Sequence, residues 1–202
     1  MRPALPSQNG SVSTSAAPTT HGNPTDGGAF FDTVQTDQFS TPATESSPTT
    51  RPTTTSVAAL GITAPWRDGA PIDARYTCKG ANVAPALSWS AAPKGTQEIA
   101  ITMIDQDAAF DHWTMAGIAP TVTGLAENQA PQGAVAALNG AGTAGYTGPC
   151  PPSLTTHTYR ITVHYLNRAL LLTSGGAAAD MRAAIDAATM ASAQVTGTFA
   201  GS

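Results

Sequence analysis

The chain has 202 residues, only 11% of them charged, and a formal net charge of −4. That length suits one domain with room for an extension. It carries no basic patch of the kind that holds nucleic acid, and no apolar run near the ~20 residues needed to span a bilayer as a helix.

Residues 1–56 differ in composition from the rest. Pro, Ser and Thr fill 28 of these 56 positions, with few large aliphatic residues among them. Such a tract buries too little apolar surface to offset the entropy of ordering, so it reads as a disordered extension or linker. One apolar island, Phe30-Phe31-Asp32-Thr33-Val34, interrupts it and could dock on the folded domain or a partner, or stand solvated. The beginning, Met1-Arg2-Pro3-Ala4-Leu5-Pro6, lacks the apolar core of a secretory signal.

The folded domain is expected over residues 57–202. Residues 57–63 read as a first strand, and Asp68-Gly69 as a reversal. Residues 84–90 read as a short strand whose Pro85 argues for a place near a sheet edge. A turn at Pro93-Lys94-Gly95-Thr96 leads into an apolar strand over 98–104. An acidic segment follows, Asp105-Gln106-Asp107, with both carboxylates on one side if the chain stays extended. Residues 112–118 read as another strand, and 121–142 as a long irregular connection. Gly145-Tyr146-Thr147-Gly148-Pro149-Cys150-Pro151-Pro152 turns too often for a helix or a central strand. It feeds a β-rich run over 158–166. Residues 177–191 are alanine-rich, with Met181, Ile185 and Ala188 at helical spacing, and 193–199 close as a last strand. Strands dominate, with one late helix, which excludes repeated βαβ units and argues for a mostly β fold.

The chemistry concentrates in the two irregular stretches. Buried carboxylates need a partner or a ligand. An aspartate beside a histidine stabilises the imidazolium and orients it. A protonated histidine, a tyrosine hydroxyl and loop amides can each donate to an oxyanion. Asp105, Asp107, His112, His157 and Tyr159 would therefore suit phosphate or a phosphomonoester, with a carboxylate free to meet an ammonium on the same ligand.

Four separated segments resemble the phosphatidylethanolamine-binding protein family in its bacterial branch. They are Tyr76-Thr77-Cys78-Lys79-Gly80-Ala81-Asn82 with Pro85-Ala86-Leu87-Ser88-Trp89; Asp105-Gln106-Asp107-Ala108; His112-Trp113; and Gly148-Pro149-Cys150-Pro151-Pro152 with His157-Thr158-Tyr159. The resemblance covers about 61–199. It implies a large central sheet packed on a smaller one, with a helix near the C-terminus. It also implies a pocket for anionic head groups lined by Asp105, His112, Gly148, His157 and Tyr159, with Pro151 or Pro152 shaping its wall. Asp107 and Trp113 take structural roles in this reading. Two departures bear on the pocket: Gln106 replaces a proline of the acidic box, and Thr158 stands where the family usually has arginine.

Cys78 and Cys150 each fall in a signature segment. Their even count and the tract before them favour a disulfide between them, worth about 4 kcal/mol on the loop-length model. A zinc site is disfavoured, because neither has a C-x-x-C neighbour. The location expected is secreted or cell-envelope, its signal outside this sequence, with a cytoplasmic protein as the alternative.

Three functions follow. The first is a small-ligand binder with an anion pocket and no catalysis, since no G-x-S-x-G elbow or activated thiol occurs. The second is a protein-interaction module acting as inhibitor or adaptor. The third is a hydrolase using a metal on Asp105, Asp107, His112 and His157, at a spacing that matches no known cage. No cofactor is expected.

Overall fold

The computed structural model describes residues 59–202. The Pro/Ser/Thr-rich tract and Phe30–Val34 lie outside them, as do Val57 and Ala58 of the expected first strand.

Among the described residues eight strands and one α-helix follow in order, besides a 3-10 turn at Ala74–Tyr76: β1 (Ile62–Thr63), β2 (Leu87–Trp89), β3 (Glu98–Asp105), β4 (Asp111–Ile118), β5 (Gly124–Leu125), β6 (Val135–Ala136), β7 (Thr156–Leu166), α1 (Ala178–Ala188) and β8 (Thr189–Ala200). They form a three-stranded sheet, β1-β2-β5, and a five-stranded sheet, β6-β4-β3-β7-β8. Every pairing between these strands is antiparallel. The mostly β fold with one late helix is therefore what forms. Among the described residues no helix is long and apolar enough to cross a membrane.

β3 sits centrally because both of its faces are apolar. Ile99, Ile101 and Met103 join Leu87 and Trp89 of the small sheet, with Trp113, Met115, Ile161, Val163 and Tyr165, in one core. On the opposite face Ala100 of β3 and Ala116 of β4 meet Met181, Ile185 and Ala188 of α1. Alanines there let the helix approach closely, and its buried positions 178, 181, 185 and 188 recur every three to four residues. Fully burying a side chain such as Ile185 contributes about 1.5–3 kcal/mol.

Three expectations are corrected. β2 is the middle strand of its sheet, not an edge; Pro85 lies two residues before the strand and removes none of its ladder donors. Of the described part of the expected first strand, only Ile62–Thr63 pairs. The connection over 121–142 contributes two short strands, β5 and β6, one to each sheet.

Candidate functional site

The site lies where β3 ends and β4 begins. Asp105 is the last residue of β3, pairs with Tyr159 across the ladder, and is 3% exposed. Its Oδ1 accepts the N–H of Asp107 at 2.8 Å and of Ala108 at 3.0 Å, an Asx-type turn. The chain therefore does not stay extended, and the two carboxylates do not share a strand face. Asp107 points back to β7, where its Oδ2 accepts the Thr158 N–H at 2.7 Å. It clamps the turn and does not line the cavity.

His157 enters from β7, and its Nδ1–H donates to Asp105 Oδ2 at 2.7 Å. His112 is placed by an irregularity in pairing. Met103 pairs with Trp113 but Ile104 pairs with Asp111, so His112 is an extra residue. A bulge of this kind turns two successive side chains to one side. His112 thus meets Tyr159 edge-on at 5.1 Å, while Asp111 forms an ion pair with Arg182 of α1 at 2.7 Å, short of hydrogen-bond alignment. His112 Nδ1–H donates to Thr147 O at 2.8 Å, which leaves Nε2 as the ring's free polar atom among the described residues.

The loop over 145–152 wraps the other side. Gly145 N–H donates to Ala137 O, Thr147 N–H to His112 O, and Gly148 N–H to Asn82 Oδ1 at 2.7 Å. These amides are committed within the protein, so they are not the oxyanion donors expected of them. A Cβ on Gly148 would lie 2.3 Å from Tyr76 O, so only glycine fits. Cys78 and Cys150 form a disulfide with Cα atoms 5.4 Å apart, tying this loop to the Tyr76–Lys79 turn.

Between these walls is a cavity of about 220 Å³. Asp105, His112 and His157 supply its ionisable groups, and Gly148, Cys150 and Pro151 line it as well. The sequence reading missed Ala108, Phe110, Ala141 and Thr147, which complete the wall, and had named Pro152 only as an alternative to Pro151. Phe110 lies 4.7 Å from the His112 ring and owes its position to Gly140, where a Cβ would fall 2.4 Å from the phenyl ring. Gly140→Ala is expected to displace Phe110 and cost about 1–2 kcal/mol. In a Phe110→Ala background that cost should vanish, which urea denaturation of the four-protein cycle will check. Tyr159 does not reach the cavity surface. It lies behind the imidazoles, 1% exposed, with no hydrogen-bond partner for its hydroxyl among the described residues.

The electrostatics follow from burial and partners. Burial pushes the Asp105 carboxyl up, but hydrogen bonds from His157 and from the Asp107 and Ala108 amides outweigh it and hold it below its ordinary value. Burial pushes His112 below its ordinary value, only partly opposed by the Thr147 carbonyl and Asp105. Burial, with Asp105 nearby, raises the Tyr159 phenol and keeps it protonated. Asp105, Asp107 and His157 place potential ligand atoms within 4.8 Å of one another. Asp105 and His157 share a hydrogen bond, the Asp107 carboxylate is taken by the Thr158 amide, and His112 stands outside the group. A larger open groove of about 490 Å³ borders β1 and β8. There Trp66 and Asp68 are both tied to Thr196, and no titratable cluster converges.

The profile described as phosphatidylethanolamine-binding protein matches residues 63–200. The chain belongs to the phosphatidylethanolamine-binding protein family. The candidate lipoprotein LppC of Mycobacterium tuberculosis is 44% identical over 147 residues, covering 70% of this chain and 73% of that one. A UPF0098 protein of Methanothermobacter thermautotrophicus is 35% identical over 142 residues, covering 66% of this chain and 93% of that one. Among solved structures, Escherichia coli YbcL superposes with a TM-score of 0.68 at 28% identity, over 71% of this chain and 99% of that one. Departures at Gln106 and Thr158 leave the family's fold intact here, because both backbones still pair: Gln106 N–H donates to Thr158 O at 2.8 Å.

Proposed function

We propose that this family member is a non-catalytic binder of a small phosphorylated anion, such as a phosphomonoester or a lipid head group. One observation carries the reading. His157 and Asp105, 52 residues apart in sequence, meet His112 around a single cavity with an otherwise largely apolar lining. The thiol at the rim is tied into the Cys78–Cys150 bridge, which removes it as a nucleophile. LppC's name as a candidate lipoprotein supports a cell-envelope location.

Since the Gly145, Thr147 and Gly148 amides are committed, the imidazoles are the charged donors the cavity offers an anion. A histidine held below its ordinary value is neutral near pH 7. Anion binding then takes up a proton at His112, and affinity rises as pH falls from neutrality. Asp105 stays charged through that window, because its own carboxyl titrates lower still. Calorimetry with inorganic phosphate and with phosphoethanolamine, in buffers of different ionisation heat, will measure the proton uptake. His112→Ala and His157→Ala should each weaken binding about tenfold or more. Binding unchanged by both variants would remove the cavity as the site.

A further inference from the structure

The cavity measures about 220 Å³. An apolar void of about 150 Å³ already takes a benzene ring, and phosphate is smaller than benzene. Phosphate alone therefore leaves a good part of the space unfilled. What faces that space is apolar: Ala108, Phe110, Ala141, Cys150, Pro151 and Pro152. Ala108 and Ala141 are exposed and Phe110 is half-buried, so apolar surface is left uncovered on this wall. The charged groups, by contrast, are already matched. Among the described residues Asp105 is the only carboxylate on the wall. It is 3% exposed, its Oδ1 accepts two amides, and its Oδ2 accepts the His157 ring N–H. Asp107 is turned away to the Thr158 amide. An ammonium entering the cavity must therefore displace His157 from Oδ2 or stand unpaired among apolar groups, and either is costly.

We infer that the cavity selects a phosphomonoester whose ester group is compact, apolar and uncharged, packed on Phe110, and that it has no subsite for an ammonium. The anionic half of this ligand rests on the function proposed above; the apolar half rests on the wall itself. Phe110 is then the specificity-determining residue. Its ring lies 4.7 Å from that of His112 and packs on the bare backbone of Gly140. A phosphoryl group held by His112 thus places its ester substituent within reach of a fixed phenyl ring.

The test is calorimetry on the full chain with inorganic phosphate, phosphoethanolamine, propyl phosphate and phenyl phosphate. Propyl phosphate and phosphoethanolamine have nearly the same shape and differ by the ammonium. Phenyl phosphate is expected to bind about tenfold or more tighter than inorganic phosphate, and propyl phosphate about tenfold tighter than phosphoethanolamine. In Phe110→Ala the ratio of phenyl phosphate to inorganic phosphate affinity falls about tenfold, while Phe110→Leu, which keeps apolar bulk, retains most of it. The inference is overturned, with the anion reading intact, by any of three results: inorganic phosphate binding as tightly as phenyl phosphate, phosphoethanolamine binding at least as tightly as propyl phosphate, or a parental ratio in Phe110→Ala. Phenol bound in a Phe110-dependent way while no phosphate binds would keep the apolar subsite and remove the anion reading. Binding of none of these compounds would remove both.

Discussion

Replacing Cys78 and Cys150 together by serine is expected to lower the unfolding free energy by about 4 kcal/mol, from loop-closure entropy over the 72-residue separation. For a domain of this size that corresponds to a melting temperature lower by roughly 10 °C. The native loop should survive the loss in outline, because Cys78 N–H still donates to Pro149 O at 3.1 Å and Gly148 N–H to Asn82. The cost should therefore reside in the unfolded chain, with cavity affinity changed far less than stability. Urea denaturation of the double variant, beside the parent under oxidising and reducing conditions, measures it. A change below about 1 kcal/mol would mean that the bridge constrains little that the unfolded chain does not already retain.

Much of the architecture was legible because it rests on periodicity. The apolar run before Asp105 becomes the doubly buried β3, and the spacing of Met181, Ile185 and Ala188 becomes the buried stripe of α1. What stayed hidden depends on partners. Pro85 reads locally as an edge signal, yet β2 gains neighbours on both sides because the proline precedes it. Alternation along β4 would set His112 opposite Trp113; the extra residue in the ladder reverses this, and nothing in the local sequence announces it. The loop glycines suggest amides open to an anion, while the actual acceptors, Ala137 O, His112 O and Asn82 Oδ1, come from elsewhere in the fold. Phe110 entered the wall through steric fit with Gly140, a match between distant residues that composition cannot show.

Asp105→Ala is expected to be the most damaging single change at the cavity. It orphans three donors at once: the Asp107 and Ala108 amides and His157 Nδ1–H. Leaving these part-buried donors unpaired, one of them on a histidine, costs about 1–3 kcal/mol. Asp105→Asn is milder, since its carbonyl oxygen can keep the two amide bonds. Its NH₂, however, would face His157 Nδ1, so the ring must move its proton to Nε2 and present the opposite tautomer to the cavity. Nitrogen chemical shifts of His157 will read that change directly. The pH dependence separates charge from shape. Asp105 is held below its ordinary value of 3.8, so the unfolded chain takes up its proton first as pH falls. The stability supplied by the carboxylate is fully present well above pH 3.8 and is lost as pH falls through the lower folded value. The gap between parent and Asp105→Asn should therefore narrow in acid. A gap of constant size from pH 7 down through that range would assign the loss to packing and remove the ionised carboxylate from its role under His157.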